Sequence, residues 1–359
     1  MLRLNQLRPC NQMDLFMRSL LQKMVRSSFD LARTAIHKNK FLHSLFYDAD
    51  NLHQFRNLEI HERMLADYIR LDAYVRGIHS AVKPGDVVVD LGCGTGILSM
   101  FAAQRNPRKV YALDHTDIID LAKRVAQHNK IDCIDFVKVN SRAFSLEEKA
   151  DVIIHEQMGS FLLDENMLEN LLDLKARVLK PGGRIVPAKF ELYLEPVCLK
   201  RDHRLPFLWE NNISGVDYSF LKDDEAYRRA DRDGRIGGAV HKEPRLETAA
   251  LEYYLCKPEP IFRFDLDLIG SEKQVPNSLV VQRKVTRSGF VDGISIYFRA
   301  AFDDDVEFDT ALNSPRTNWR PPLLRIPRTA LKEGDEIRIN FDMPSFHDVP
   351  SWSIFMEKL

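Results

Sequence analysis

The chain has 359 residues, 45% of them hydrophobic and 29% charged, with 51 basic side chains against 52 acidic ones and a net charge of −1. That length supports two domains and an extension, and the near-neutral balance supplies no global field to gather nucleic acid or a membrane surface. No run is apolar enough to span a bilayer, and Cys10, Cys93, Cys133, Cys198 and Cys256 lack metal-ligand spacing, so no metal is expected and a reducing cytoplasm is the expected compartment.

The first element in chain order is an amphipathic helix. From Met13 to Val25, apolar residues fall at 13, 16, 17, 20, 21, 24 and 25, with Arg18, Lys23 and Arg26 off that stripe or at its margin. Asp14 is the only acid before Asp30, which leaves an organellar presequence open; a helix packing on the next domain or on a second subunit is the favoured reading. Ile60 to Tyr74 follows as a helical segment carrying His61, Met64, Asp67 and Arg70.

Val87 to Leu91 reads as a strand covered on both faces, running into the turn Gly92-Cys93-Gly94-Thr95-Gly96 and then a helix. Gly92, Gly94 and Gly96 remove the side chains that would hold a ligand off the backbone, and the helix points its N–H groups at that ligand. Their spacing is G-x-G-x-G, whereas a dinucleotide site needs G-x-G-x-x-G, and Asp90 ahead of the turn suits a cofactor bearing positive charge. Lys109 to Leu113 is the next strand and ends on Asp114, about twenty residues after the glycine turn, where an acid accepts hydrogen bonds from ribose hydroxyls. Asp114 also reads as the N-cap of a helix from Thr116 to Asn129.

The strand from Asp151 to Ile154 leads into a loop with two carboxylates, Glu156 and Glu165. A guanidinium is planar, always protonated, and pairs bidentately with carboxylates, so two acids at the C-terminal edge of a parallel strand suit that group. Pro181-Gly182-Gly183 predicts a turn before a fifth strand, and the alternation from residue 84 to about 187 predicts a doubly wound parallel sheet. Beyond Pro187, Phe262 to Leu268, Ile294 to Phe302 and Ile337 to Met343 alternate as antiparallel strands with one face buried. Leu205 to Arg235 interrupts them, with Trp209-Glu210-Asn211 and Leu221 to Arg229 reading helical.

The run from Asp90 to Gly96 resembles motif I of the S-adenosylmethionine-dependent methyltransferases. His155 to Met167 resembles the double-glutamate loop of the protein arginine methyltransferases, Ile60 to Tyr74 their H-x-x-M-L-x-D-x-x-R segment, and Ser314-Pro315-Arg316-Thr317-Asn318-Trp319 their T-H-W loop. This resemblance spans roughly residues 50 to 359. It implies an α/β + β architecture: a Rossmann-like methyltransferase domain followed by an antiparallel β-barrel, with the Leu205 to Arg235 segment as a helical dimerisation arm and a homodimer as the expected assembly. It also implies S-adenosyl-L-methionine as cofactor, with Asp90, Gly92, Gly94 and Gly96 at its turn, Asp114 on the ribose, Arg70 on the methionine carboxylate, His61 nearby and Arg142 at the adenine position. Glu156 and Glu165 would grip the acceptor guanidinium, with Glu165 as proton acceptor. Met64 and Met167 would flank the accepting nitrogen as in members that place two methyls on one nitrogen, and Trp319 would close the acceptor site beside Asp67 and Asn318.

This sequence departs from that pattern in several places. The aromatic element expected before His61 is Asn51-Leu52-His53-Gln54-Phe55, keeping only its last aromatic. Asn318 stands where the T-H-W histidine would pair with Asp67, and an amide is no general base. Ser141-Arg142 stands where an acid would meet the adenine amino group, and Gln157 and Ser160 replace aromatics. The expected domains are a helical extension over 1–45, the cofactor domain over 46–187, and the substrate domain over 188–359 with its arm at about 205–235. The expected activity is methyl transfer to peptidyl-arginine, with free arginine or a small guanidino metabolite as the alternative acceptor and a non-catalytic regulatory partner as the alternative of another class. No nucleic acid or membrane partner is expected.

Overall fold

A computed structural model describes residues 57–204, 206–210, 212–225 and 250–359. The amphipathic helix from Met13 to Val25, the segment Asn51 to Phe55, and the arm beyond Glu225 lie outside the described residues. Two helices come first, α1 (Leu58–Leu65), capped by Asn57 accepting from Glu59 N, and α2 (Tyr68–Ala81), capped by Asp67 accepting from Arg70 N. The alternating half then runs β1 (Val87–Leu91), α3 (Ile97–Ala103), β2 (Lys109–Asp114), α4 (Ile118–His128), β3 (Ile134–Lys138), β4 (Ala150–His155), α5 (Met167–Val178) and β5 (Leu179–Val186). These strands form a parallel sheet in the order β3-β2-β1-β4-β5, as expected from the apolar runs. The order reverses between β1 and β4, so the glycine turn and Glu156 leave adjacent strands at the same edge, where doubly wound sheets bind ligands.

Antiparallel strands take over at β6 (Lys189–Leu199). After a small hairpin of β7 (Asn212–Ile213) and β8 (Val216–Asp217) come β9 (Leu251–Tyr254), β10 (Pro260–Asp265), β11 (Ser278–Lys284), β12 (Gly289–Val291), β13 (Gly293–Ala301) and β14 (Glu307–Asp309). The chain finishes with β15 (Leu323–Leu324), β16 (Thr329–Leu331), β17 (Glu336–Asp342) and β18 (Ser353–Lys358). Among the described residues they pair as a sheet β10-β6-β13-β14, with β9 on β6 and β15 on β13, and as separate sheets β11-β17-β18 and β12-β16, without closing one continuous ring. Alternation does its work here: Phe190, Leu192 and Leu194 on β6 register with Ala300, Phe298 and Ile296 on β13, and all six are buried.

Some boundaries differ from the sequence reading for local reasons. The helix after β2 starts at Ile118 rather than Thr116, because Asp114 spends one carboxylate oxygen on the Thr116 N–H and hydroxyl, each at 2.8 Å, in an Asx-type turn. Pro181-Gly182-Gly183 does not precede the fifth strand but lies inside β5, where the register jumps between its pairings with Ala150 and Val152. The strand expected to reach Leu268 stops at Asp265, whose carboxylate accepts from Asp267 N at 2.9 Å and turns the chain. In the arm, Trp209-Glu210 falls in a 3₁₀ turn over Leu208–Glu210, and Leu221 in another over Ser219–Lys222; α-helix is reached at Glu225, and the rest of the expected Leu221 to Arg229 helix lies outside the described residues. Asp217 accepts from the Ser219 N–H and hydroxyl, both at 2.9 Å, which sets a tight turn over the residues ahead of Glu225.

The two halves are fastened to each other. Lys175 on α5 donates its ammonium to the carbonyls of Leu266, Asp267 and Ile269 at 2.6, 2.7 and 2.9 Å, and Asp267 accepts from Ile185 N at 2.8 Å. Gly77 on α2 lies so close to Phe302 that a Cβ would sit 2.2 Å from its Cδ1, and Phe302 meets Tyr74 edge-on at 4.9 Å. No helix among the described residues is long and apolar enough to cross a membrane, and no cluster of His, Cys, Asp and Glu among them is arranged to hold a metal.

Candidate active site

The cofactor end is built from two strand termini, those of β1 and β2. Gly94 adopts φ +52, and a Cβ there would meet the His61 ring at 3.1 Å, so its bareness lets α1 lie directly over the turn. Asp114, at the end of β2, accepts the Gly94 N–H at 2.9 Å with one oxygen and Thr116 with the other, which ties the glycine turn to the neighbouring strand. Asp90 is wholly buried; the Ser99 hydroxyl donates to its Oδ2 at 2.5 Å, while Oδ1 has no partner. Burial pushes the Asp90 carboxyl up to about 7. An unpartnered buried carboxylate oxygen beside a bare glycine cradle, with a second acid at the next strand end, fits a cationic, adenosine-containing cofactor.

The acid end lies at the end of β4. Glu156 Oε2 accepts from Arg70 Nη1 at 3.0 Å, and Arg70 Nη2 donates to the Met64 carbonyl at 2.7 Å. Arg70 is buried, its Cζ lies 5.7 Å from the centre of the Trp319 ring, and its Nε has no partner. The guanidinium the sequence assigned to the cofactor carboxylate therefore rests on the glutamate it assigned to the substrate. Burial pushes Glu156 up to about 7, with Arg70 pulling in the opposite direction. Glu165 is half-buried on the same loop, just ahead of Asn166, the N-cap of α5, so it precedes the helix instead of serving as a first-turn acid.

The loop and its surroundings are held by hydrogen bonds to main-chain carbonyls. Tyr74 OH donates to His155 O at 2.8 Å, and Trp319 Nε1 to Met158 O at 2.6 Å. Trp319 is stacked on Phe308 with centroids 5.3 Å apart. His155, also fully buried, shares a hydrogen bond of 2.8 Å between Nε2 and the Pro187 carbonyl, and desolvation lowers it to about 4. Asp67 joins α2 to the T-N-W loop: Oδ1 accepts from Arg70 N at 3.0 Å and Oδ2 from Asn318 N at 2.5 Å. The link expected to be lost with the histidine is thus kept by the main chain, and the Asn318 side chain is exposed.

The remaining expected residues are more scattered. Met64 is half-buried on α1, whereas Met167 is fully buried as the first residue of α5. Arg142, in a 3₁₀ turn after β3, lies 3.5 Å from Glu169 and donates to Asn170 Oδ1 at 3.5 Å; Asn170 in turn donates to Gln157 Oε1 at 3.4 Å. Tyr74, Ser99, Thr116 and His155 were not read as site residues. Ser99 and Thr116 are short-range partners of assigned acids, a signal within reach of the sequence; the Tyr74 contact, 81 positions away, is not.

The raised carboxyls have a pH consequence. Asp90, Glu156 and Glu195 are each pushed up to about 7 chiefly by burial, from ordinary values near 4. The folded protein then holds protons that the unfolded chain releases, so their contribution is full at low pH and is lost as pH rises through about 7. His155 runs the other way, its folded value lying below its unfolded one, but it is one group against three and its effect fades as pH rises above about 6.5. The expected outcome is a melting temperature for the cofactor-free protein that falls between pH 6.5 and 8. A rise over that interval, measured by scanning calorimetry, contradicts it.

Comparison with known proteins agrees with this geometry. A family model described as a methyltransferase domain matches residues 88–183. The chain is 32% identical over 277 residues to a probable protein arginine N-methyltransferase 6 of Arabidopsis thaliana, covering 76% of this chain and 59% of that one. It is 41% identical over 175 residues to protein arginine N-methyltransferase 6 of Danio rerio, covering 47% of this chain and 50% of that one. The chain thus spans about half to three fifths of those two relatives. With protein arginine N-methyltransferase 6 of Xenopus tropicalis it shares 30% identity over 298 residues, covering 80% of this chain and 84% of the other. Among solved structures, the Trypanosoma brucei PRMT1 enzyme-prozyme heterotetrameric complex with AdoHcy gives a TM-score of 0.67 at 26% identity, covering 80% of this chain and 88% of that one.

Proposed function

The chain belongs to the protein arginine N-methyltransferase family, and from that premise we propose that it moves methyl groups from S-adenosyl-L-methionine to a guanidino nitrogen of arginine. The observation that carries the proposal is the Arg70–Glu156 pair: the loop glutamate already takes a guanidinium, at 3.0 Å, in a part-buried setting. Asp90, Asp114, the glycine turn and Arg70 are the residues that would hold the cofactor, which supplies a methyl carbon bound to a positively charged sulfur. Glu156 and Glu165 orient the acceptor guanidinium through charge-assisted bonds and draw its positive charge away from the reacting nitrogen. With the cofactor bound, that nitrogen would take the methyl carbon the cofactor supplies, and Glu165 would receive the proton it gives up. Holding the two reactants in line supplies much of the acceleration.

Peptidyl-arginine is the proposed acceptor, ahead of free arginine, and asymmetric dimethylarginine the proposed product, from the Met64 and Met167 match. Radiolabelled cofactor incubated with an Arg-Gly peptide or with free L-arginine tests the order. Label in the peptide is expected, and efficient labelling of free arginine alone reverses it. A homodimer is proposed through the arm, whose described part exposes Ile213, Val216 and Phe220 at 53%, 55% and 66%; light scattering reads the mass. Cysteine usage supports a cytoplasmic location.

A further inference from the structure

Glu156 is bracketed by two carbonyls, those of His155 on one side and Met158 on the other, and each receives a hydrogen bond from an aromatic side chain of a different element. Tyr74, fully buried on α2, donates its hydroxyl to His155 O at 2.8 Å; Trp319, from the loop before β15, donates its indole N–H to Met158 O at 2.6 Å. Neither ring is held by that bond alone. Tyr74 packs edge-on against Phe302, and Trp319 stacks on Phe308 and meets Phe298 edge-on at 5.6 Å. Burial raises the Tyr74 phenol well above its ordinary value, so the donor keeps its proton throughout the working pH range.

We propose that Tyr74 and Trp319 are positioning residues for the methyl transfer: together they fix the main chain on either side of Glu156 and so aim its carboxylate at the acceptor guanidinium. Tyr74 does so from the helix that also carries Arg70, and Trp319 from the antiparallel half. The direction of Glu156 therefore depends on both halves being docked. A loop held at one carbonyl can pivot about the other, and displacement of a reacting group by about 1 Å costs on the order of a hundredfold in rate. The bonds act on the chain and touch neither reactant, so their loss lowers turnover more than binding.

This inference rests on the proposed activity, and the test separates the two. Tyr74→Phe removes one donor and keeps its ring in place, and Trp319→Phe removes the other and keeps a smaller aromatic ring against Phe308 and Phe298. Tyr193→Phe, which removes the hydroxyl bonded to Glu191 on β6, controls for the loss of a phenol elsewhere. Cofactor affinity by calorimetry, and kcat and KM for an arginine peptide, are measured for all four proteins. The expected result is a kcat lowered roughly tenfold or more in Tyr74→Phe and Trp319→Phe, with cofactor Kd and peptide KM within about twofold and Tyr193→Phe at wild-type kcat. A kcat within twofold of wild type in Tyr74→Phe, or a loss appearing equally in Tyr193→Phe, overturns the positioning role. Absence of transfer by the wild-type protein sinks the activity itself.

Discussion

Glu156→Gln abolishes measurable methyl transfer while cofactor affinity stays within a few fold. The substitution preserves length and shape but replaces a carboxylate with an amide, and charge-assisted pairs are roughly twice as strong as neutral ones. In this part-buried setting the loss is larger still, because Arg70 and the acceptor guanidinium would then share a neutral group instead of an anion. Removing one such preorganised electrostatic contact costs on the order of 10²–10³ in turnover. Cofactor affinity stays within a few fold because Asp90, Asp114 and the glycine turn, on the adjacent strand β1 and on β2 beyond it, are untouched, and Arg70 keeps its bond to the Met64 carbonyl. A filter-binding assay of labelled peptide beside calorimetry of the cofactor checks both halves, and turnover within tenfold of wild type removes Glu156 from the acceptor site.

Asp114→Ala has the opposite signature. Its carboxylate is buried and holds the Gly94 N–H at 2.9 Å and both Thr116 donors at 2.8 Å, so truncation strips the ribose position and loosens the glycine turn together. Leaving a buried hydrogen-bonding group unpaired costs about 1–3 kcal/mol, which corresponds to a Kd for S-adenosylmethionine raised by roughly five- to a hundred-and-fiftyfold. With the cofactor saturating, kcat returns to near wild type, since Glu156 and Glu165 are untouched. Unchanged affinity would show that the ribose is held elsewhere.

The features legible in the sequence were those whose partners lie within one turn or one strand. The run Val87 to Leu91 declared a doubly covered strand by composition, and Asp114 and Glu156 were found because a strand end and a glycine turn fix them by spacing. Arg70 shows the limit. Its place on the cofactor side was read from a motif, but its bond to Glu156 spans 86 positions and depends on how α2 packs across the sheet edge, which no local pattern encodes. The same holds for Lys175, whose three carbonyl partners lie on a turn about ninety residues away. Pro181-Gly182-Gly183 carried a true turn signal that a parallel strand absorbed as a bulge. In the arm, helix was expected from Leu221 but is reached only at Glu225, because Asp217 and its bonds to Ser219 open a tight turn over Ser219–Lys222 first.

The bond from the Asn318 amide N–H to Asp67 bears on how this site can change over generations. Because the donor is the main chain, every residue except proline offers the same N–H, and the side chain at 318 stands in solvent with no duty in holding the loop to α2. Drift at 318 therefore leaves the loop latched while it alters what an incoming acceptor meets. A library randomised at that codon should return folded, cofactor-binding proteins at nineteen of twenty residues, with differences confined to which acceptors they take. Selection can explore acceptor preference at this one position without first paying in structural integrity.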